Sequence, residues 1–524
     1  NAAIVRYGEM GLSAARTVAQ QIEGAQLLRD SRRDPTVDVI LGEQFEQLAR
    51  QPAAQPDEVQ MNVYNTTSTV GLAGDTADAM RGRGFTVDQV GNDPERKWYP
   101  ERTAVIRHGA ASEPMARTVA AQNKGVLALI ETFITPNADQ LQGEDRTRLD
   151  AAVEGLRKAV DEHQAWLDGT LVPNAKGEFR IGAETYDRKL KFALNSSLSR
   201  QDIRQRAEAE LARIRDEMYV VAQAVLKDRD GAPETPAQPS DDQRQAAIEA
   251  AMEVAYADKP ARDEVVDFAR HTLDVATDFV RRHDLVTVPD DPVKIILMPE
   301  FQRGVAVAYC DSPGPLDKGL DTYYAISPIP DDWTAQQTES FLREYNDRMI
   351  HLLSIHEAMP GHYLEGAHSV NHPSTLRAVL RSGTFAEGWA VYTEDMLADA
   401  GYLDNDPLFR LVQLKFYLRT IANAILDQGV HVDNWTREQA MDLMVNQTFQ
   451  QEREAAGKWT RAQLTSAQLP TYFVGVQEHF DTRKAVEQKL GTDFDLKAYH
   501  DQVLSYGAPP VRFVRQLMLD QPIE

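Results

Sequence analysis

The sequence predicts a mainly α-helical fold with a small β-sheet beside one buried helix, preceded by a small α/β segment. Three observations lead there. From about Asn123 onward apolar residues recur at helical spacing over long stretches, three short β-rich runs cluster between residues 293 and 326, and the first 121 residues mix strand-like runs with short helical ones.

The front segment contains a repeat. Ala3-Ile4-Val5-Arg6-Tyr7-Gly8 through Gln21 reappears as Ala104-Val105-Ile106-Arg107-His108-Gly109 through Gln122, with nine of nineteen aligned positions identical. Each copy reads as a strand of β-branched residues, a glycine turn and a helix carrying Ala-Arg-Thr-Val-Ala. Two further strand-like runs, Val37 to Gly42 and Val59 to Asn65, lie between the copies, and the Pro- and Gln-rich stretch Gln51 to Asp57 separates them like a linker.

The body reads as helices at Gly125 to Phe133, Thr147 to Leu167, Gln201 to Leu226, Gln243 to Tyr256 and Arg262 to Arg282. The Pro-rich polar stretch Asp228 to Ser240 is a surface loop, because helical pattern resumes at once. Strand signals are confined to Val293 to Leu297, Val305 to Tyr309 and Thr322 to Ile326, enough for a small sheet. A helix then starts after Thr334, with Gln337 three residues on as a capping box, and carries an apolar stripe through Phe341, Tyr345, Met349 and Leu353.

Bulk properties narrow the function. The 524 residues include 80 acidic and 56 basic ones, and the net charge of −24 argues against nucleic acid or an anionic membrane as main partner. No apolar run is long enough to span a bilayer, so no transmembrane segment is expected. Cys310 is the sole cysteine, so an intrachain disulfide and a Cys-rich zinc site are both excluded and any metal must be held by histidines and carboxylates. The chain opens on Asn1 rather than Met, which leaves the compartment open.

Five of the twelve histidines fall between His351 and His372, within His356-Glu357-Ala358-Met359-Pro360-Gly361-His362 and its surroundings. A lone histidine on an apolar helix is more often a core residue, but the paired motif reverses that preference and leaves His351, His368 and His372 as bystanders. In a His-Glu-x-x-His zinc helix the ligands stand one turn apart, and the glutamate reaches the water between them. Here the spacing is six residues. An unbroken helix would rotate the second histidine by roughly 600°, leaving it about 240° away from the first. Pro360 and Gly361 therefore predict a break that returns His362 to the same face. His356 and His362 are the expected metal ligands, and Glu357 is the expected general base.

Together with Phe385-Ala386-Glu387-Gly388-Trp389-Ala390-Val391-Tyr392-Thr393-Glu394, this motif resembles the bacterial family known as domain of unknown function 885, itself similar to gluzincin peptidases. Phe179 to Gly182, Asp427 to His431 and Leu469 to Gly475 extend the resemblance over about residues 122–524. It implies Glu387 as third ligand, with Glu365 and Glu394 as competitors, and a helical zinc metallopeptidase domain. Asn62 to Thr66, Gly71 to Ala73 and Gly82 to Val87 resemble the C-terminal domain of the LytR/CpsA/Psr cell-wall attachment proteins, over residues 1–121. That likeness favours an extracytoplasmic location over a cytoplasmic one.

The expectation is one Zn2+ per chain and hydrolysis of peptide bonds in a peptide substrate, of carboxypeptidase or oligopeptidase type. Tyr472 is the first choice for a donor to the developing oxyanion and His431 the second. Arg419, Arg461 and Arg483 are candidates for a substrate carboxylate, and Asp427, Glu394 or Asp395 for orienting a ligand imidazole. Two other readings stand beside this one. In the first the chain is a noncatalytic cell-envelope binding module, against which the intact Glu357 argues. In the second it is a zinc amidohydrolase acting on a non-peptide amide.

Overall fold

The computed structural model describes residues 3–7, 15, 18–19, 22, 25–29, 37–41, 60–65, 72–83, 85–92, 111–123, 125–298, 307–317, 319–330 and 333–523. Two compact units divide the chain, Asn1–Glu113 with Ala175–Gly177, and Pro114–Asn174 with Glu178–Glu524.

The first unit is built on a five-stranded sheet. Strands β1 (Ala3–Tyr7), β2 (Ala25–Arg29), β3 (Val37–Leu41), β4 (Gln60–Asn65) and β5 (Thr86–Asn92) take the order β2-β1-β3-β4-β5. β1 runs antiparallel to β3, and the remaining neighbours are parallel. Ala3, Val5, Val37 and Val39 face Ala77 and Met80 of helix α1 (Leu72–Arg81) in a small core. Arg6 sits opposite Asp38 in the ladder, and their ion pair at 2.7 Å lets both be buried. β1, β3 and β4 arise from runs that read as strands. β2 and β5 do not, since Ala25-Gln26-Leu27-Leu28-Arg29 lacks alternation and Thr86 to Asn92 is largely polar. Residues 104 to 109 and the expected linker Gln51 to Asp57 lie outside the described residues.

The second unit is helical around one continuous apolar core. Its longer helices include α2 (Gly143–Trp166), α3 (Gly182–Leu194), α4 (Arg200–Leu226), α5 (Asp241–Ala257) and α6 (Val265–Arg282); all but α3 lie close to the stretches the periodicity predicts, and α3 falls outside them. Side-chain caps set two of the starts. The Ser199 hydroxyl accepts from the Asp202 N–H at 3.1 Å ahead of α4, and Ser240 does the same for Gln243 at 3.2 Å ahead of α5. The Pro-rich stretch between them is a loop, held by the Tyr219 hydroxyl donating to the Pro236 carbonyl.

A three-stranded sheet follows, with β6 (Val293–Leu297) parallel to β8 (Thr322–Ile326) and β7 (Ala308–Asp311) antiparallel to it, in the order β6-β8-β7. β6 and β8 occupy the predicted runs. β7, at Ala308–Asp311, overlaps the predicted run Val305 to Tyr309 only in part, and residues 305 and 306 lie outside the described residues.

The helix expected to run unbroken from Thr334 through Leu353 is two helices, α7 (Ala335–Glu344) and α8 (Asp347–Glu357). Asn346 makes the joint. Its amide donates to the Arg343 carbonyl at 3.0 Å and its oxygen accepts from the Met349 N–H at 3.3 Å, so one side chain ends the first helix and caps the second. The predicted Thr334 cap is present, accepting from the Gln337 N–H at 3.2 Å.

Four more helices enclose the site: α9 (His362–Val370), α10 (Gly383–Asp399), α11 (Pro407–His431) and, after helix α12 (Glu452–Leu464), α13 (Pro470–Leu490). Every residue of α11 from Thr420 to His431 is buried, including the polar Asn423, Asp427, Gln428 and His431, so this is a central helix. α10 and α13 cross at Gly388 and Gly475. A Cβ at Gly475 would stand 2.1 Å from the Thr384 carbonyl oxygen, and one at Gly388 2.4 Å from the Gly475 carbonyl carbon, so only glycine permits this approach.

Candidate metal centre

The site begins where α8 ends. Its buried face packs on α6, where the Ser354 hydroxyl lies 2.7 Å from that of Thr272. Past Glu357 the backbone turns sharply, with the N–H groups of Ala358 and Met359 both donating to the Ser354 carbonyl, at 3.1 and 2.9 Å. The Met359–Pro360 peptide is cis. Gly361 then folds back onto the helix end and donates to the Ile355 carbonyl at 2.9 Å. A Cβ on Gly361 would lie 1.9 Å from the His356 carbonyl oxygen, so this return path requires glycine. Trp389 of α10 pins the loop by donating its indole N–H to the Pro360 carbonyl at 2.9 Å.

The consequence is that His362, first residue of α9, returns to face His356. The two rings lie 4.8 Å apart and nearly perpendicular. Glu387 arrives from α10 with Oε2 at 3.3 Å from His362 Nε2 and 3.8 Å from His356 Nε2. One donor atom from each of these three residues lies within 4.8 Å of the others. Glu387 Oε2 is buried with no hydrogen-bond partner, and buried polar atoms are seldom left so. Two imidazole nitrogens and an orphaned carboxylate oxygen suit a borderline divalent cation such as zinc.

Glu394 lies seven residues, about two turns, beyond Glu387 on the same helix face. Its Oε1 meets Nδ1 of His356 at 2.6 Å, leaving Nε2 turned towards Glu387. Of the three acids considered for this task it is the one in place. Asp427 instead accepts from the Tyr186 hydroxyl and the Ala467 N–H, and Asp395 pairs with Arg410.

Burial penalises charge on these groups, and their proximity decides which of them keep it. Burial lowers His356, but the adjacent Glu387 and Glu394 carboxylates outweigh that and push it up to about 10. Glu387 is also desolvated, yet the two imidazoles hold it well below the usual carboxylate range. Burial pushes Glu394 up to about 7 against the pull of His356. We place the proton of this close pair on Nδ1 of His356, facing Oε1 of Glu394, since both glutamates favour the charged ring.

A cavity of about 1210 Å³ opens over the three donors, and Glu357, Tyr472, Arg461 and Arg419 line it. Tyr472 lies in the first turn of α13. Its hydroxyl accepts from Arg461 Nη2 at 3.2 Å. Burial and the nearby Glu387 charge raise it to about 12, so it remains protonated and able to donate at neutral pH. Arg419 is committed to an ion pair with Glu454 and also donates to the Tyr345 hydroxyl.

Two expectations are corrected. His431 does not line the cavity: its Nε2 faces the Ala462 and Thr465 carbonyls, at 2.8 and 2.7 Å, and its ring stacks on Tyr186. With that nitrogen occupied at the end of α12, it is no oxyanion donor. Arg483 is likewise turned away from the cavity, bonded to Glu487 at 2.8 Å and to the Tyr392 hydroxyl at 3.3 Å. Sequence reasoning overlooked Lys458, Arg381 and Arg453 in the cavity wall. The three-residue step from Lys458 to Arg461 on one helix was the available signal.

A mainly helical unit with convergent histidine and carboxylate donors is thus the class that fold and site define. The chain belongs to the family described as bacterial protein of unknown function (DUF885), whose model matches residues 98–518. A second model, LytR cell envelope-related transcriptional attenuator, matches residues 58–132. Among solved structures, the chain is similar to a candidate lipoprotein of unknown function from Shewanella oneidensis, at 33% identity and a TM-score of 0.63, covering 79% of this chain and 74% of that one. It also shares the fold of a candidate lipoprotein from Colwellia psychrerythraea, at 23% identity and a TM-score of 0.64, covering 78% and 70%. No curated protein matches the chain.

Proposed function

We propose that the helical unit is a zinc-dependent, gluzincin-like metallopeptidase that hydrolyses peptide bonds. The observation that carries this reading is the convergence of His356 Nε2, His362 Nε2 and Glu387 Oε2, with Glu357 beside them in the wall of an open cavity. A zinc ion held by these three would supply Lewis acidity, polarising a carbonyl and lowering the pKa of a bound water towards about 7.

The chain's own residues supply the rest. Glu394 fixes the His356 ring through Nδ1, so that Nε2 is the nitrogen offered. Glu357 accepts the proton of the attacking water and returns it to the leaving amine, which needs no covalent intermediate. Tyr472, neutral at working pH, donates its hydroxyl to the carbonyl oxygen as negative charge develops there. The cavity admits an extended peptide segment.

The lipoprotein descriptions of the two similar structures and the LytR-related match at residues 58–132 favour a place in the cell envelope. Among the described residues no helix is long and apolar enough to cross a membrane. The test is digestion of a peptide library by the purified chain, read by mass spectrometry with and without chelator. Cleavage that stops on chelation and returns with zinc is expected. Intact peptides under zinc-loaded conditions would refute the peptidase reading.

A further inference from the structure

Helix α12 presents Lys458 and Arg461 to the cavity one turn apart. Among the described residues, Arg461 Nη2 donates only to neutral acceptors, Gln468 Oε1 at 3.1 Å and the Tyr472 hydroxyl at 3.2 Å. Lys458 is 5% exposed, and no hydrogen bond or ion pair of its ammonium occurs among the described residues. Arg419 is another cation of this wall, and Glu454, one turn before Lys458, is already its partner. Lys458 and Arg461 thus face the cavity without a carboxylate paired to either among the described residues, although Glu357 and Glu387 line the same cavity.

An ammonium largely withdrawn from bulk water without a paired anion is penalised, and so is its approach to other cations. Desolvation together with Arg419 and Arg461 pushes Lys458 well below its ordinary value, against the weaker attraction of Glu454 and Glu387. An anion seated between Lys458 and Arg461 would relieve that penalty, pairing the ammonium and using the guanidinium fork. Such a place adjoins the reacting centre, because Arg461 bonds the Tyr472 hydroxyl and Lys458 lies within electrostatic reach of Glu387. The anion that a peptide carries to this position is a carboxylate.

We infer that Lys458 and Arg461 form a carboxylate subsite that binds peptide substrates by a terminal or side-chain carboxylate next to the scissile bond. The subsite rests on the peptidase reading for its substrate, but its anion preference can be measured without cleavage. Arg419, neutralised by Glu454, supports the field without being the anchor.

The experiment compares three otherwise identical peptides on the zinc-loaded full chain: a neutral-side-chain peptide with a free C-terminal carboxylate, its C-terminal amide, and an amide with glutamate as last residue. The free acid or the glutamate amide is expected to be cleaved with KM at least about tenfold below that of the neutral amide. The arm that wins identifies the source of the carboxylate. In Lys458→Met this preference should collapse towards parity, read as the ratio of KM between the charged and neutral peptides, and Lys458→Arg should restore part of it. Calorimetric binding of the same peptides to Glu357→Gln repeats the comparison without turnover. Carboxylate-selective binding without cleavage would uphold the subsite and refute the peptidase. Equal handling of all three peptides by the unaltered chain, in cleavage and in binding, would overturn the subsite and leave the peptidase standing.

Discussion

His356 Nδ1 lies 2.6 Å from Oε1 of Glu394, a carboxylate that is itself fully buried. This contact selects which ring nitrogen faces Glu387 and His362, and it fixes the orientation of the ring. Replacing Glu394 with Gln keeps the shape but removes the charge that, by accepting from Nδ1–H, makes the ring more imidazolate-like and a stronger donor through Nε2. Zinc affinity should fall by about 10- to 100-fold, the usual cost of losing such a partner. Competition titration against a chelator of known affinity measures it, and an unchanged affinity would show that Glu394 does not tune the site.

Gly361 admits no side chain, since a Cβ there would stand 1.9 Å from the His356 carbonyl oxygen. In Gly361→Ala either the loop or the end of α8 must shift. We expect a stability loss of about 1–3 kcal/mol, typical of overpacking, together with loss of high-affinity zinc binding. Chemical denaturation and metal analysis test both parts. A variant that melts and binds zinc like the unaltered chain would contradict the geometry of the turn.

Protonation of the metal-free site gives a pH signature. His356 is raised from an ordinary 6.5 to about 10, so its contribution to stability is full below pH 6.5 and is lost as pH rises towards 10. Glu387 is lowered from 4.5, so its contribution is present above pH 4.5 and is lost as pH falls through its depressed value. The metal-free protein should therefore lose stability from about pH 7 to 10, and zinc uptake near neutrality should release about one proton from this site. Denaturation curves across pH and calorimetry in buffers of different ionisation enthalpy test the two statements. Flat alkaline stability without proton release would count against a protonated His356.

Much of this was legible in the sequence because local chemistry dictated it. The six-residue spacing between His356 and His362 was impossible on a regular helix, and Pro360 and Gly361 named the place of the break. The helices of the body followed from apolar periodicity, and Thr334 and Gln337 from cap chemistry. Asn346 was missed because an asparagine inside an apolar stripe gives no sign of capping until its neighbours bend. Lys458 lies on a helix of largely polar sequence that singles out no face, and only tertiary packing brings it into the cavity wall. His431 and Arg483 erred the other way. Their types suited the chemistry, but their polar atoms are committed to the Ala462 and Thr465 carbonyls and to Glu487. The strands β2 and β5 draw their stability from neighbours in the sheet, and their own residues carry little strand pattern.

Glu357 offers the most direct test, because the proposed chemistry needs its carboxylate as a base while the three donors do not include it. In Glu357→Gln, peptide cleavage by the purified chain should fall by at least about 100-fold while zinc content stays near one ion per chain. Cleavage at the unaltered rate by a zinc-loaded Glu357→Gln protein would contradict the account at its centre.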